Sequence, residues 1–122
     1  TIIVGEIRDR ETALATLTAA ETGHAVFATV HAGGCFGTVD RFLSLVGGNE
    51  FEAMRLAGVY LCGIHVTSNP AEEKQGLFVD RTYEIFRSND AARTHIRDRS
   101  AHRLWQARLG TSEKDWKLTI RS

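Results

Sequence analysis

Residues 1–34, TIIVGEIRDRETALATLTAAETGHAVFATVHAGG, are the stretch that decides the fold. Two short apolar runs rich in β-branched residues, 1–4 and 25–30, have the composition of buried strands. Between them, Asp9 is well placed to cap a helix that continues to about Glu21 through alanine- and leucine-rich turns. A strand, a helix and a strand within about thirty residues predict a βαβ crossover with parallel strands.

Two further helices are predicted after a loop over residues 32–37. Thr38 can cap the first of them, and the Gly47-Gly48 pair is expected to end it. Asn49 can cap the second, which is expected to continue to about Cys62. The sequence therefore predicts an α/β fold in which helices follow the parallel strands.

A β-hairpin and a helical segment complete the prediction. Strands over 64–67 and 77–86 are expected to be joined by the polar loop 68–76. Ser88 or Asn89 can cap a helix beyond the hairpin, and the residues that follow have weak helical character. The expected divisions of the chain are 1–34 for the crossover, 35–63 for the two helices, 64–86 for the hairpin and 87–122 for a helical C-terminal segment.

Composition and charge narrow the class of protein. The chain has 122 residues, a formal net charge of zero and 43% hydrophobic residues, which fits one small globular domain and excludes a collagen-like or proline-rich chain. Residues 1–80 carry five basic and ten acidic residues, whereas residues 81–122 carry ten basic and five acidic ones. Nucleic acid, anionic lipid or an acidic partner could contact the basic part. Because acidic residues interrupt it, a solvated surface or a protein contact is favoured, and no direct binding of nucleic acid is expected.

The remaining reactive and aromatic residues predict no further site. Neither cysteine belongs to a Cys-x-x-Cys pair, so reduced thiols are expected and no zinc or other metal site is predicted. The basic helix that follows the hairpin could reach the phosphates of a neighbouring subunit, but a solvated face is favoured for its arginines, Arg93 and Arg97, as for Arg103. Three histidines lack the spacing of metal ligands and two tryptophans are expected to be packing anchors: His65, His95, His102, Trp105 and Trp116.

Polar residues punctuate the first segment where chemistry is expected. Glu6 and His31 follow the two predicted strands at their carboxyl ends, the edge at which open α/β sheets bind ligands. A carboxylate there can orient or deprotonate water, and an imidazole beside it can hydrogen-bond a phosphate. Alternatively, both are solvated strand ends, and His24 is a helix-end cation favoured by the helix dipole.

Three elements in this order resemble the region from the Walker B motif to the His box of the secretion and pilus ATPases. These are the motors of type II secretion, type IV pili and type IVB conjugation, within the RecA-like P-loop superfamily. The elements are Gly5-Glu6-x-Arg8-Asp9-x-Glu11-Thr12, then Ala20-Glu21-Thr22-Gly23-His24, then Thr29-Val30-His31. A weaker similarity continues through Thr38–Phe42, Val79–Phe86 and Asn89–Arg97.

The resemblance implies roles for single residues. Glu6 would be the Walker B carboxylate that activates or orients the attacking water and lies near Mg²⁺. His31 would be the histidine near the γ-phosphate that couples hydrolysis to motion between subunits. His24 would support it within the nucleotide site, and Arg8 belongs to the same motif. ATP and Mg²⁺ would be the cofactors of the full-length parent, which would form a hexameric cytoplasmic ring on inner-membrane secretion or pilus platform proteins.

Several family features are missing from these residues. No Gly-x-x-x-x-Gly-Lys-Ser/Thr sequence occurs, so the phosphate cradle, its lysine and the Mg²⁺-binding hydroxyl are absent from the 122 residues. The acidic Asp box and the tetracysteine of some type II enzymes are also missing, and Ala32 stands where the family usually has Thr or Ser. The chain begins at Thr1, so we expect a C-terminal part of a longer motor, without cofactor or ATP hydrolysis on its own.

Two other classes of function are also compatible with the sequence. A non-catalytic assembly or interaction domain, or a truncated remnant, would keep the fold without ATP binding. An unrelated small α/β protein would match by chance, and Glu6 and His31 would then lie far apart.

Overall fold

The computed structural model describes residues 1–73, 76–107 and 117–121 of the chain. They form strands and α-helices, with one 3₁₀ helix before the last strand. In chain order the elements are β1 (Ile2–Val4), α1 (Arg10–Glu21), β2 (Val26–Ala28), α2 (Gly37–Val46), α3 (Glu50–Val59), β3 (Cys62–Glu73), β4 (Gly76–Arg87), α4 (Asp90–Arg97), the 3₁₀ helix (Ala101–Ala107) and β5 (Lys117–Arg121).

The first three elements form the predicted crossover. Strands β1 and β2 are parallel, with Ile3 opposite Phe27. Helix α1 connects them and turns Ala13 and Leu17 into the core, where they are fully buried. The β-branched runs and the alanine-rich helix form the predicted elements, and the carboxyl ends of β1 and β2 lie at one edge. The prediction that both strands are buried is wrong, since Ile3 is 80% exposed and Phe27 is 64% exposed.

Helix α1 begins at the predicted cap. The Asp9 side chain accepts a hydrogen bond from the Thr12 backbone N–H at 2.8 Å, which satisfies a donor that the first turn would otherwise leave free. This bond lowers the pKa of the Asp9 carboxyl. The cap fixes the direction in which the chain leaves the turn that carries Glu6.

Helix α2 differs from the prediction at its start. It begins at Gly37, and the predicted cap Thr38 lies inside its first turn. The Thr38 hydroxyl instead donates to the Cys35 carbonyl at 2.8 Å, so it binds the preceding loop rather than an N–H of the helix. The end is as predicted, because Gly47 adopts a left-handed conformation with φ of 103°.

Helix α3 has the predicted cap and a shorter length. The Asn49 side chain accepts from the Glu52 backbone N–H at 2.9 Å. The helix ends at Val59 rather than Cys62, because Tyr60 turns to extended backbone and leads directly into β3. The Arg55 guanidinium fastens α3 to α1 through Glu21 at 2.7 Å, and it also binds Glu52 within α3 at 2.8 Å.

The core lies among α1, α2, α3, α4 and the 3₁₀ helix. Its largest fully buried side chains come from α1, α2, α4, the 3₁₀ helix and the loop before α2: Leu17, Cys35, Val39, Val46, Ile96 and Leu104. Phe86, at the end of β4, is also buried and brings the hairpin into this core.

The hairpin is longer than predicted. Strands β3 and β4 pair antiparallel along their whole length, so the predicted loop over 68–76 is wrong for residues 68–73 and 76, and residues 74 and 75 lie outside the described structure. Polar residues predicted a loop, but the strand pairing tolerates them because its hydrogen bonds use only backbone groups. Pro70 fits because β3 is the edge strand of the order β3-β4-β5.

The two faces of this sheet differ. Residues opposite each other in an antiparallel pair share a face. One face carries Ser68 and Arg81 together with apolar or aromatic side chains, most of them exposed: Ile64, Val66, Tyr83, Ile85, Leu118 and Ile120. On the other face, Gly63 and Phe86 lie opposite each other next to the helical core.

The C-terminal part corrects the prediction of a helical segment to residue 122. Asn89 caps α4 as predicted, accepting from the Ala92 backbone N–H at 2.9 Å. The weakly helical stretch forms the 3₁₀ helix up to Ala107. Lys117–Arg121 instead form strand β5 on the hairpin, where alternating residues suit a pleated sheet. Trp105 is half-exposed rather than a buried anchor, and Trp116 lies outside the described residues.

Candidate functional site

Glu6 and His31 lie at the carboxyl edge of the parallel strands. The backbone fixes this edge from both sides. Ile7 N–H donates to the Thr29 carbonyl at 2.8 Å, and the Thr29 hydroxyl donates to the Gly5 carbonyl. The residue on each side of Glu6 is therefore bonded to Thr29, two positions before His31. Thus the two predicted residues are held on adjacent segments.

The side chains of this edge form a three-membered cluster. Glu6 Oε1 lies 3.1 Å from His31 Nε2, and Glu6 Oε2 lies 2.6 Å from Arg8 Nη2. The Glu6 side chain is 23% exposed, whereas His31 and Arg8 are 91% and 76% exposed. The partly buried Glu6 carboxylate thus lies between two side chains that are largely exposed to solvent.

Hydrogen bonding controls the charge of Glu6. The bond from Arg8 is the main influence and lowers the pKa of the Glu6 carboxyl, an effect that the charges of Arg8 and His31 reinforce against partial desolvation. The same contact raises the pKa of Arg8. The carboxylate is therefore ionised at neutral pH and has acceptor lone pairs left for a water or a cation.

His24 lies apart from this cluster. It precedes β2, at the amino ends of the strands, whereas Glu6 and His31 follow their carboxyl ends. Its Nδ1 lies 3.2 Å from the Ala19 carbonyl and 3.3 Å from the Thr22 hydroxyl, at the end of α1. The structure thus brings together three of the four predicted site residues, and His24 occupies the helix-end position that was its alternative interpretation.

The other sequence-predicted groups contribute no second cluster. Arg93 is partly exposed, and its Nη1 donates to the Ala57 carbonyl at 2.6 Å and to the Gly58 carbonyl at 3.0 Å. Cys35 and Cys62 are free thiols. Within residues 1–73, 76–107 and 117–121, no group of three or more metal-ligating side chains occurs, and no helix is long and apolar enough to cross a membrane.

One contact beside the site escaped the sequence analysis. Gly63, in the first residues of β3, packs directly against the loop that follows His31. The available signal was a glycine inside a strand pattern, which often marks close approach of another backbone. Predicting α3 to continue to Cys62 obscured that signal.

Comparisons with known proteins match the sequence of the chain to one family. Residues 1–108 match the family described as Type II/IV secretion system protein. The chain is 38% identical over 97 residues to a twitching motility protein of Neisseria gonorrhoeae, covering 80% of this chain and 26% of that protein. It is 46% identical over 54 residues to the Type IV pilus retractation ATPase PilT of Pseudomonas aeruginosa, covering 44% and 16%. The X-ray structure of the Legionella pneumophila ATPase DotB matches with a TM-score of 0.67 and 23% identity, over 86% of this chain and 31% of that one.

The chain therefore belongs to the type II/IV secretion system protein family. The likeness to DotB confirms the predicted α/β fold, with a parallel strand pair, helices and an antiparallel hairpin. The chain spans about a quarter of the length of the Neisseria relative and less than a third of DotB.

Replacing Arg8 with methionine is expected to raise the pKa of the Glu6 carboxyl, because the strongest bond to its charged form is lost. A carboxyl whose pKa is lowered by folding stabilises the fold above its unfolded pKa and loses that contribution as the pH falls through its folded value. Arg8→Met should shift this loss to higher pH. A ¹³C NMR titration of the Glu6 carboxyl measures the shift, and Arg41→Met, at an exposed arginine in α2, is the control. An unchanged Glu6 titration would contradict the assigned contact.

Proposed function

We propose that this chain is the C-terminal portion of the ATPase domain of a motor. In the full-length protein, that domain would couple ATP hydrolysis to pilus dynamics, protein secretion or conjugative DNA transfer. The observation that carries the proposal is the contact between Glu6 and His31 at the carboxyl edge of parallel strands. Family membership supports it, because relatives include a pilus ATPase and a twitching motility protein. Residues 1–34 would carry the Walker B motif and His box, followed by the helices, the hairpin and the C-terminal segment.

In this proposal Glu6 is the Walker B carboxylate. The carboxylate, bonded to Arg8, would orient the attacking water or accept a proton from it. Arg8 holds one carboxylate oxygen and thereby sets the direction of the other. His31 reports the state of the γ-phosphate, since its exposed ring can exchange the Glu6 contact for a phosphate oxygen.

His24 has a different role in this proposal from the one that the resemblance implies. Its ring closes the turn between α1 and β2 by binding carbonyl and hydroxyl oxygens there. It supports the site through the position of β2 and touches no nucleotide.

The Glu6, Arg8 and His31 side chains could contact only the terminal phosphate end of Mg²⁺-ATP. A carboxylate, a guanidinium and an imidazole within reach of one another suit the terminal phosphate and a water beside it. The bound nucleotide would supply the phosphoryl group, and Mg²⁺ would neutralise its charge. The cradle for the remaining phosphates has to come from residues outside these 122, since their sequence holds no P-loop.

The proposal also covers the oligomeric state and the cellular location of the full-length protein. We propose a hexameric ring of the full-length protein in the cytoplasm, attached to the inner membrane through secretion or pilus platform proteins. The exposed His31 ring suits a site near a subunit boundary, where hydrolysis has to be coupled to motion. No direct contact with nucleic acid is included, because acidic residues interrupt the basic C-terminal third.

A non-catalytic assembly domain is the second candidate. The observation in its favour is the absence of a Gly-x-x-x-x-Gly-Lys-Ser/Thr sequence from the 122 residues. Such a domain would keep the fold and bind motor subunits without hydrolysing ATP.

Two measurements on the native product decide between these candidates. The motor proposal predicts an intact mass several times the 13.5 kDa of this chain, a P-loop in the added sequence and ATP turnover by the purified protein. The 122 residues alone should not hydrolyse ATP, because they lack the groups that hold its phosphates. A native product near 13.5 kDa that binds motor subunits would replace the motor proposal by the assembly domain.

A further inference from the structure

The base of the hairpin is packed against the loop that follows His31. A Cβ atom on Gly63 would lie 2.8 Å from the Cys35 carbonyl oxygen, 2.5 Å from the Tyr60 hydroxyl and 3.0 Å from the Thr38 hydroxyl. The side-chain oxygens could move aside, whereas the Cys35 carbonyl belongs to the backbone of the loop. Only glycine therefore allows β3 to approach the loop this closely.

Strand β4 contacts the same loop beside Gly63. A Cβ atom on Gly34 would lie 3.3 Å from Glu84 Oε2, so the Glu84 carboxylate covers the Gly34 backbone. Phe86 adds an apolar contact, with its ring centroid 5.0 Å from that of Phe36. We call this set of contacts the hairpin joint: Gly63, Glu84 and Phe86 on the hairpin with Gly34, Cys35 and Phe36 on the loop.

The burial of Cys35 and the effect of the Glu84 charge on it are consistent with close packing at the hairpin joint. Cys35 is fully buried between the hairpin and the helices. Desolvation, with a smaller contribution from the negative charge of Glu84, raises the pKa of its thiol to about 11. The carboxylate is thus close enough to act on the centre of the loop as well as on Gly34.

The loop begins immediately after His31. The His31 ring is 91% exposed, and its contact in the cluster is Glu6, at 3.1 Å. A ring with so little side-chain packing takes its position from its backbone. That backbone is held by Thr29 on one side and by the hairpin joint, three residues away, on the other.

We propose that Gly63 and Glu84 are positioning residues, which set the distance between His31 and Glu6 through the hairpin joint. The effect on ATP turnover rests on the proposed function, whereas the effect on the position of His31 does not. The hairpin would thereby be the part of the fold that places the histidine for its contact with Glu6.

The first test observes His31 directly and needs no activity. The native protein is labelled with ¹³Cε1-histidine, and the His31 NMR signal is identified by its loss in His31→Gln. Replacing Glu6 with glutamine should shift this signal, because the two side chains are in contact. In Gly63→Ala and in Glu84→Gln, the same replacement should shift it by less than about half as much, since the ring has moved away from residue 6.

Matched controls separate the joint from general effects of the substitutions. Gly58→Ala makes the same change in α3, where a Cβ atom meets nothing within 4 Å, and Glu50→Gln removes an exposed carboxylate. In both controls, the Glu6→Gln replacement should shift the His31 signal as much as it does in the otherwise wild-type protein. Glu84→Gln keeps its size, so it still decides the question if Gly63→Ala does not fold. The proposal would be overturned if Glu6→Gln shifted the His31 signal in Glu84→Gln, and in folded Gly63→Ala, as much as it does in the otherwise wild-type protein.

The second test measures turnover by the full-length protein. Misplacing His31 should lower kcat at least about tenfold in Gly63→Ala and Glu84→Gln, with the KM for ATP within about twofold of wild type. Glu84→Asp should recover part of kcat. A raised KM with unchanged kcat would overturn the positioning role. If the wild-type protein hydrolyses no ATP, the proposed function fails, and the His31 signal alone decides the proposal.

Discussion

Replacing Glu6 with glutamine in the full-length protein is expected to lower ATP turnover at least about 100-fold while ATP binding stays largely intact. Glutamine keeps the size of the side chain and can still accept one hydrogen bond. It loses the negative charge that holds Arg8 at 2.6 Å and His31 at 3.1 Å. The water that the carboxylate orients would lose its fixed direction, whereas the groups that bind the remaining phosphates lie elsewhere.

Steady-state hydrolysis and equilibrium binding of ATP measure the two parts of this expectation. Glu50→Gln is the matched control, because Glu50 is an exposed carboxylate in the first turn of α3, outside the Walker B-like element. It should keep turnover within about twofold of wild type. Unchanged turnover in Glu6→Gln would remove Glu6 from the mechanism, and a comparable loss of ATP binding would point to a binding role instead.

The second large effect concerns stability. Replacing Phe86 with alanine should lower the free energy of unfolding by about 3–5 kcal/mol, the usual loss for a buried phenylalanine that leaves a cavity. Phe86 is 2% exposed and packs against Phe36 and Tyr60, with ring centroids 5.0 and 6.5 Å away. The substitution removes the aromatic contact between the hairpin and the helical core.

Urea denaturation followed by circular dichroism gives this free energy. Phe27→Ala removes the same side chain from a position that is 64% exposed, and it should cost less than about 1 kcal/mol. Small domains are stable by only about 5–15 kcal/mol, so Phe86→Leu, expected to cost less than about 1.5 kcal/mol, serves if the alanine variant does not fold. Equal losses at positions 86 and 27 would show that the hairpin is not held by this contact.

The parts of the fold that local chemistry dictates could be predicted from the sequence. Asp9, Asn49 and Asn89 each cap a helix through a side-chain oxygen, and such a cap needs only a few neighbouring residues. The parallel register of β1 and β2 follows from two apolar runs joined by one helix. The same reasoning placed Glu6 and His31 together, because the carboxyl ends of parallel strands share an edge.

The errors arose where distant contacts decide the structure. Residues 68–73 are mostly polar, include a proline and resemble a loop, yet they pair with β4 because backbone hydrogen bonds do not depend on side-chain polarity. Lys117–Arg121 form a strand only because β4 offers a free edge. The assignment of His24 to the nucleotide site rests on the resemblance and stays a prediction, although the direction of β2 places this residue at the opposite end of the strands from Glu6.

The length of the hairpin has a mechanical consequence. Its base is held by Gly63 and Phe86, while Asn69 and Asp80 lie opposite each other six residues further along the ladder. At about 3.4 Å per residue, this arm measures roughly 20 Å. A rotation of about 5° at the base would displace the Asn69 position by nearly 2 Å on that estimate. An arm of this length would amplify a rotation at its base. A rotation that leaves the Glu6–His31 contact intact would move the outer part of the hairpin by a distance comparable to the length of a covalent bond.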